Sequence, residues 1–290
     1  MQPLIWESRP DGLRAPALVC AFSGWNDAAD AASAALVFLA ESFGAERFAR
    51  IDPEEFYDFQ VTRPHIGFTE DGTREITWPQ IEIYAARVPR APRDLILLHG
   101  PEPSMRWRSF TRHIVDLAEA VGTQLVVTMG ALLNDVPHTR PVPISGLASD
   151  EALVRKLALA RTTYEGPTGI VGVLHTACAE AGLPSASVWA SVPRYLPAAP
   201  NPKAALALVR AVEGLVAVAV DASELEQATI EYERQLGLVV DSDPAAQALV
   251  RRFEEVAGDD ANSLGLGDLP SGDALASEIQ RFLRQQGPDR

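Results

Sequence analysis

Short apolar runs alternate along this chain with segments in which apolar residues repeat at helical spacing. The runs are continuous and end at Gly, Pro or polar residues, as buried strands do. They occupy residues 16–22, 95–98 and 125–127, and a last strand is expected at 185–193. Helices are predicted at about 27–43, 105–121, 164–183 and 203–219. Strands that alternate with helices indicate a layered α/β fold with a largely parallel sheet.

Other segments predict extended or helical structure outside these runs. Residues 47–51 and 56–64 are expected to be strands, the second because aromatic and apolar residues alternate with polar ones. Residues 75–88 predict a β-hairpin that turns at Pro79-Gln80. An amphipathic helix is expected at 152–160.

The stretch 124–146 passes from a buried strand into a loop that concentrates polar chemistry. The pattern predicts that the strand ends at Gly130. The loop then carries Asn134, Asp135, His138, Thr139 and Arg140 among Pro137, Pro141 and Pro143. Proline fixes φ and removes a backbone donor, so three prolines in seven residues predict a stiff loop.

Polar loops follow four of the predicted strands. Their sequences are SGWND, HGPEPSMRW, MGALLNDVPHTRP and PRYLPAAPNP. A largely parallel sheet places the carboxyl ends of its strands at one edge, where α/β proteins bind ligands. The sequence therefore predicts a binding site at that edge.

Eight residues in or near these loops are candidates for ligand binding. Carboxylates and imidazoles serve acid–base chemistry, and guanidinium groups bind anions. The candidates are Asn26, Asp27, Arg63, His99, Arg106, Asp135, His138 and Arg140. The competing interpretation is that each side chain is a structural hydrogen-bonding group. No catalytic residue set is predicted.

The sequence does not predict a metal ion or a cofactor. The five histidines are scattered, and neither an HExxH motif nor a Cys/His cluster is present. No GxSxG motif indicates a serine hydrolase. Gly166, Gly169 and Gly172 resemble an anion-binding helix start, but close helix packing explains them better.

Charge divides the chain into two predicted parts, an α/β core domain at 1–220 and an acidic helical extension at 221–290. The second part carries 15 acidic and 6 basic residues, a net charge of −9 out of −14. One helical stripe contains Leu225, Ala228, Tyr232 and Leu236, and a second contains Ala246, Leu249, Phe253 and Val256. A linker at about 258–273 and a short helix at about 274–286 are expected to follow.

Composition excludes several classes of function. The net charge of −14 disfavours nucleic acid and anionic membrane surfaces as partners. No apolar run approaches the roughly 20 residues of a membrane span, and the N-terminus lacks a signal-peptide pattern, so a cytoplasmic protein is expected. Cys20 and Cys178 lie in apolar surroundings, which favours buried reduced thiols.

Several of these motifs, taken in order, resemble the proteasome assembly chaperone family in its bacterial, actinobacterial-type branch. They are AFSGWNDAADAA (21–32), YDFQVTRPHI (57–66), LLHGPEPSMRW (97–107), TMGALLNDVPHTRP (128–141) and YEGPTGIVGVLH (164–175), and the similarity covers roughly residues 1–240. The resemblance implies a three-layer α/β/α fold like that of nucleoside phosphorylases, and assembly into homo-oligomers. Through other members it also implies binding to proteasome α-subunits.

One feature departs from this family. Such chaperones and proteasome activators often dock through a C-terminal hydrophobic residue, Tyr and any residue. This sequence ends Gly287-Pro288-Asp289-Arg290. Docking by that route is therefore not expected.

Two functional hypotheses follow. The first is a non-enzymatic chaperone or scaffold that self-associates through its α/β body and contacts a protein partner through the acidic helices. The alternative is a small-molecule enzyme or sensor that binds an anionic or nucleoside-type ligand at the strand-end loops.

Overall fold

The computed structural model describes residues 3–149, 165–195 and 200–260. Its strands are β1 (Leu4–Trp6), β2 (Ala17–Ser23), β3 (Glu46–Ile51), β4 (His65–Phe68), β5 (Arg74–Thr77), β6 (Ile81–Ala86), β7 (Leu95–Pro101), β8 (Leu125–Asn134), β9 (Ile144–Ala148) and β10 (Ser185–Pro193). Its helices are α1 (Ala31–Ser42), α2 (Trp107–Ala120), α3 (Ile170–Glu180), α4 (Pro202–Val216), α5 (Ser223–Asp241) and α6 (Pro244–Asp260). The helices predicted at 152–160 and 274–286, and most of the predicted linker, lie outside the described residues.

Eight strands form one mixed sheet in the order β1-β3-β6-β7-β2-β8-β10-β9. The four central strands, β7, β2, β8 and β10, are parallel to their neighbours within this group. The flanking strands pair antiparallel, and five of the eight strands run in the same direction. The four polar loops therefore leave the sheet at one edge, as the sequence predicts.

Helices cover both faces of the sheet, which confirms the three-layer α/β/α fold. Alternate residues of β2 point to opposite faces because side chains alternate along a strand. Val19 belongs to a core shared with α1 and α4, whereas Leu18 and Phe22 belong to a core shared with α2 and α3. All three side chains are fully buried. Helix α5 packs on α4 and α6 packs on α5. The division into two domains at residue 220 stays a prediction.

The region 56–88 differs from its prediction. Residues 56–64 form turns, because the backbone carbonyl of Asp58 accepts hydrogen bonds from Val61 N (2.9 Å) and Thr62 N (2.8 Å). The predicted hairpin at 75–88 is also wrong. Strand β5 pairs with β4 in a separate two-stranded sheet, and β6 lies between β3 and β7. Their environments explain the separation, since Ile81 and Ile83 of β6 are fully buried whereas all of β5 is exposed.

Strand β8 continues past its predicted end at Gly130 and stops at Asn134. Nine residues of β10 pair in register with β8, from Ser185 opposite Val126 to Pro193 opposite Asn134. This ladder extends the strand beyond its apolar segment. The loop after Asn134 is irregular up to Pro143, as predicted, and the edge strand β9 that follows was not predicted.

Smaller differences concern the C-terminal stripes. Thr229 and Val250 are buried, although neither belongs to the predicted stripes. Ala228 is exposed and Val256 is 52% exposed, so the buried faces are rotated slightly from the prediction. None of the described helices combines the length and the apolar composition needed to cross a bilayer.

Gly130 leaves room for the indole ring of Trp189 on the neighbouring strand. The two residues are register partners in the β8–β10 ladder. A Cβ atom at position 130 would lie 2.6 Å from ring atoms Cε3 and Cζ3 of Trp189. That separation is shorter than van der Waals contact, so any larger residue must displace the ring or the strand.

We expect Gly130→Ala to lower the free energy of unfolding by about 1–3 kcal/mol, because it overpacks a close contact in the sheet. Urea unfolding measures the change. Gly214→Ala in α4 is the matched control, since nothing lies within 4 Å of the added Cβ atom. We expect the control to be neutral or to stabilise by up to about 1 kcal/mol. Equal effects of the two substitutions would contradict the contact with Trp189.

Candidate functional site

Asn26 lies at the centre of the edge where the polar loops meet. Its backbone carbonyl accepts a hydrogen bond from Ala131 N (2.8 Å), which ties the loop after β2 to β8. Its side chain is fully buried, and Nδ2 donates to Glu102 Oε1 at 2.7 Å. Its Oδ1 atom has no hydrogen-bond partner within the described residues. Asn26 therefore joins two strand ends through its main chain and side chain.

Glu102 connects the same edge to helix α3. The carboxylate oxygen that accepts from Asn26 also accepts from Ile170 N at 2.7 Å, at the first turn of α3. Gly169 allows the Asn26 side chain to lie close to the start of α3, since a Cβ atom at position 169 would lie 2.2 Å from Asn26 Oδ1. The negative charge of Glu102 suits a helix N-terminus, where unpaired N–H groups and the helix dipole are positive. One carboxylate thus links β2, β7 and α3.

Asp27 caps helix α1, although its side chain lies four residues before the helix begins. A short 3-10 turn, Ala28–Asp30, separates them. Asp27 Oδ1 accepts from Ala32 N at 2.6 Å, and Oδ2 accepts from Ser33 N at 3.2 Å and from the Ser33 hydroxyl. Burial raises the pKa of Asp27, although these hydrogen bonds oppose that shift. The carboxylate is used inside the fold, as a helix cap is.

His99 lies on β7 beside Glu82 of β6, which is its register partner. Its Nε2 atom is buried and has no hydrogen-bond partner within the described residues. Burial lowers the pKa of His99, and the nearby Glu82 carboxylate partly offsets this. Glu82 itself accepts from Tyr84 Oη at 2.7 Å and pairs with Arg47.

Arg63 and Arg106 lie at the surface away from these groups. Arg63 is exposed and makes no hydrogen bond or ion pair with any described residue. Arg106 precedes α2 in a left-handed conformation (φ 55°) and forms an exposed ion pair with Glu55 at 2.7 Å. Exposed ion pairs of this kind contribute little to stability.

The loop after β8 is held by β10 and α4. Asp135 pairs with Arg194 at 2.6 Å. His138 is buried, and its N–H and its Nδ1 both lie 2.7 Å from the hydroxyl oxygen of Tyr195. The hydroxyl accepts from the backbone N–H, so its own proton is available to Nδ1, which suits a neutral imidazole. Burial lowers the pKa of His138, and the neighbouring charge of Lys203 lowers it further.

The C-terminal helices close over this loop. Lys203 Nζ donates to the carbonyls of His138 (2.6 Å) and Arg140 (2.8 Å) and pairs with Glu233 of α5 at 2.6 Å. The ring of Phe253 in α6 stacks on Tyr195, with centroids 5.8 Å apart. A hydrogen bond from the Thr139 hydroxyl to the Glu254 carboxylate also joins the loop to α6. A small cleft lies between the loop, β10, α4 and Tyr232 of α5.

The eight predicted residues thus fall into separate groups. Asn26 and Asp27 fix the loop after β2, and Asp135, His138 and Arg140 belong to the loop beneath the C-terminal helices. His99, Arg63 and Arg106 have other neighbours. No side-chain hydrogen bond or ion pair among the described residues joins one group to another. Ligand binding by any of them stays a prediction. Among the described residues, no cluster of three or more His, Cys, Asp or Glu is placed to hold a metal ion.

Sequence reasoning missed three residues that organise this edge, Glu102, Tyr195 and Lys203. Glu102 lies in a loop that the sequence does identify as polar, between two prolines. Lys203 is one of only two lysines in an arginine-rich chain, which is a weak signal for a specific role. No pattern in the sequence pairs Tyr195 with His138, because 57 residues separate them.

Comparisons with known proteins place the chain among related structures. The model of the PAC2 family matches residues 21–240. A PAC2 family protein from Streptomyces avermitilis is 47% identical, with a TM-score of 0.76, and the match covers 82% of this chain and 99% of that one. No curated protein matches the sequence.

Two further structures extend the comparison. A proteasome-assembly chaperone homologue from Mycobacterium tuberculosis is 44% identical, with a TM-score of 0.75, over 81% of this chain and 99% of that one. An archaeal proteasome activator from Pyrococcus furiosus is 19% identical, with a TM-score of 0.66, over 82% and 99% of the two chains. The archaeal likeness concerns the fold alone.

We expect Glu102→Ala to lower the free energy of unfolding by about 2–3 kcal/mol, because it leaves the donors of Asn26 and Ile170 without their acceptor. Glu102→Gln keeps an acceptor oxygen and loses only charge assistance, so its loss is about 1 kcal/mol. Chemical denaturation measures both. The exposed Glu55→Ala serves as control, with a change below about 1 kcal/mol. A loss no larger than that of the control would refute the linking role.

Protonation of His138 is expected to destabilise the protein as pH falls. The pKa of His138 is lower in the folded state than in the unfolded state, so the folded state binds fewer protons. The contribution of the neutral His138 side chain to the free energy of unfolding is therefore fully present above the unfolded pKa of about 6.5. It is lost as pH falls from that value through the lower folded pKa. Burial also lowers the pKa values of His99 and His175, which act in the same direction.

The measurement is the melting temperature between about pH 7.5 and about pH 5.5 in the wild type and in His138→Asn. The asparagine side chain retains an acceptor near the position of Nδ1. We expect a smaller pH-dependent fall in the variant, and an unchanged slope would show that other groups dominate.

Proposed function

Since this chain belongs to the PAC2 family, we propose that it is a non-enzymatic, protein-binding chaperone or scaffold that acts as a homo-oligomer. The observation that carries the proposal is its 44% identity to a proteasome-assembly chaperone homologue over 99% of that chain. Such similarity over a whole chain favours a related function. The partner that this relative suggests is a proteasome subunit.

The acidic C-terminal helices are the surface that we assign to the partner. Residues 221–260 contain 11 acidic and 3 basic residues. Lys203 and Phe253 fix these helices against the body, so their outer face is presented in a defined orientation. A fixed acidic face attracts a basic surface and accelerates its association.

Some of these carboxylates are occupied within the chain and others are free. Arg210 pairs with Glu226, and Arg234 pairs with Glu231. Glu224 and Glu255 are exposed, and neither forms a hydrogen bond or ion pair through its side chain with any described residue. The two free carboxylates are available to a basic partner.

Binding of a small anionic or nucleoside-type ligand has less support. Asp135 is paired with Arg194, and His138 is buried against Tyr195 beneath the C-terminal helices. Both carboxylate oxygens of Asp27 accept hydrogen bonds from α1, and the side-chain NH2 group of Asn26 donates to Glu102. The side chains that suggest a ligand site in the sequence therefore form hydrogen bonds and ion pairs within the folded chain.

We expect Glu224→Lys/Glu255→Lys to weaken binding to the proteasome α-subunits of the same organism at least about tenfold, with most of the effect on the association rate at low salt. Biolayer interferometry with purified full-length proteins measures it. Both positions are exposed, so folding is expected to be unaffected.

Asp116→Lys/Glu119→Lys on α2 is the matched control, because it makes the same change of charge on the opposite layer of the body. If the wild type does not bind α-subunits, the proposed partner is wrong. If both double variants lose the same amount of affinity for α-subunits, the assignment of the binding surface to the C-terminal helices is wrong.

A further inference from the structure

The β4–β5 ribbon, residues 65–77, forms a sheet of its own, separate from the eight-stranded sheet. Its two strands pair only with each other, and every residue of both strands is exposed. The turn between them is well organised, since Thr69 N donates to Thr73 O and Asp71 Oδ1 accepts from Thr73 N. An isolated two-stranded ribbon is marginally stable in water and needs a covering surface.

One face of this ribbon is apolar. Residues directly opposite each other in an antiparallel pair share a face, and so do residues two apart along a strand. Ile66 lies opposite Ile76, and Phe68 lies opposite Arg74. Ile66 and Ile76 are each 49% exposed and Phe68 is 77% exposed. Trp78, two residues after Ile76, continues this face and is 45% exposed.

The other face is polar and carries the carboxylate of Glu75. It presents His65, Gly67, Glu75 and Thr77. Two further acids, Glu70 and Asp71, lie in the turn. The apolar face therefore contains no carboxylate, in a chain whose net charge is −14. Two copies of such an acidic protein repel each other least where their contact carries no acids.

The apolar face is complementary to itself when one ribbon is reversed against another. Strand β5 and its continuation present Arg74, Ile76 and Trp78 in a row, with the two isoleucines of the ribbon at its centre. Reversal about Ile76 places Arg74 of one copy over the Trp78 ring of the other, and the same contact forms twice. Arginine over a tryptophan face is a favourable cation–π arrangement. Arg74 makes no side-chain hydrogen bond or ion pair with any described residue, so it is free to form it.

We propose that the β4–β5 ribbon pairs face to face, in opposite directions, with the same ribbon of a second copy of this chain. The inference rests on the self-association within the proposed function and names its interface. A two-fold contact of this kind is isologous, so each copy contributes Arg74 and Trp78 in turn. The ribbon has 13 residues, fewer than the roughly 20–30 residues that each partner contributes to a standard interface, so a weak association, of about micromolar affinity, is expected.

The first test is Ile76→Lys, which places two ammonium groups against each other at the centre of the contact. Sedimentation velocity at about 1 to 100 μM protein measures the mass. We expect the mass of the wild-type assembly to fall at least twofold in the variant. Ile230→Lys is the matched control, since Ile230 is 66% exposed on α5 and lies outside the ribbon. The control should retain the wild-type mass.

The second test substitutes Arg74 and Trp78, the two residues at the ends of the contact. Arg74→Glu places a carboxylate over the partner's indole, and Trp78→Arg places two guanidinium groups together. Each single variant is expected to lose the assembly. The double variant Arg74→Glu/Trp78→Arg creates a Glu–Arg pair at both ends and is expected to regain it. Circular dichroism confirms folding, because Trp78 also contacts the ring of Phe59 at 4.8 Å.

The outcomes separate this inference from the proposed function. A wild type that is oligomeric and unchanged by Ile76→Lys would refute ribbon pairing and leave self-association standing. A wild type that is monomeric throughout the range would refute both, while partner binding is judged by its own experiment. A monomer that loses α-subunit binding on Ile76→Lys would assign the ribbon to that partner and overturn the pairing.

Discussion

A single carboxylate, that of Glu102, determines how the loops at the edge of the sheet are arranged. It accepts from Asn26, which extends β2, and from Ile170, where α3 begins. Asn26 is in turn bonded to β8 through its main chain. Removal of this one acceptor leaves buried donors unsatisfied on two separate segments, which is costly in a closely packed interior. The positions of the loops thus depend on a polar contact within an otherwise apolar core.

The layered fold could be predicted from the sequence because it depends on local pattern. Continuous apolar runs predicted the central strands, and apolar residues at helical spacing predicted α2. The pairing of the strands within residues 75–88 could not be predicted, because alternation shows that a segment is extended but not which strand it pairs with. Likewise, the end of β8 is set by pairing with β10, which lies about 60 residues away in sequence.

The candidate site shows a different limit of sequence reasoning. Polar residues in stiff loops resemble ligand-binding groups, since both kinds of residue need defined orientations. In this chain His138 and Asp135 meet Tyr195 and Arg194, partners that only the folded chain brings near. The surfaces that we assign to binding lie elsewhere. The acidic helices are assigned to a protein partner, and a ribbon whose strand residues are all exposed is assigned to a second copy of the chain. Residues that bind another protein must be exposed on the surface of the folded chain.

The ammonium group of Lys203 has a consequence for how the molecule opens. It is only 15% exposed and is shared between the loop carbonyls of His138 and Arg140 and the Glu233 carboxylate. Lifting α5 from the body would strip this shielded cation of its counter-charge, which is expensive in a low-dielectric setting. This link favours cooperative opening of α5 together with the loop after β8, so we expect the amide hydrogens of both segments to exchange with solvent at similar rates.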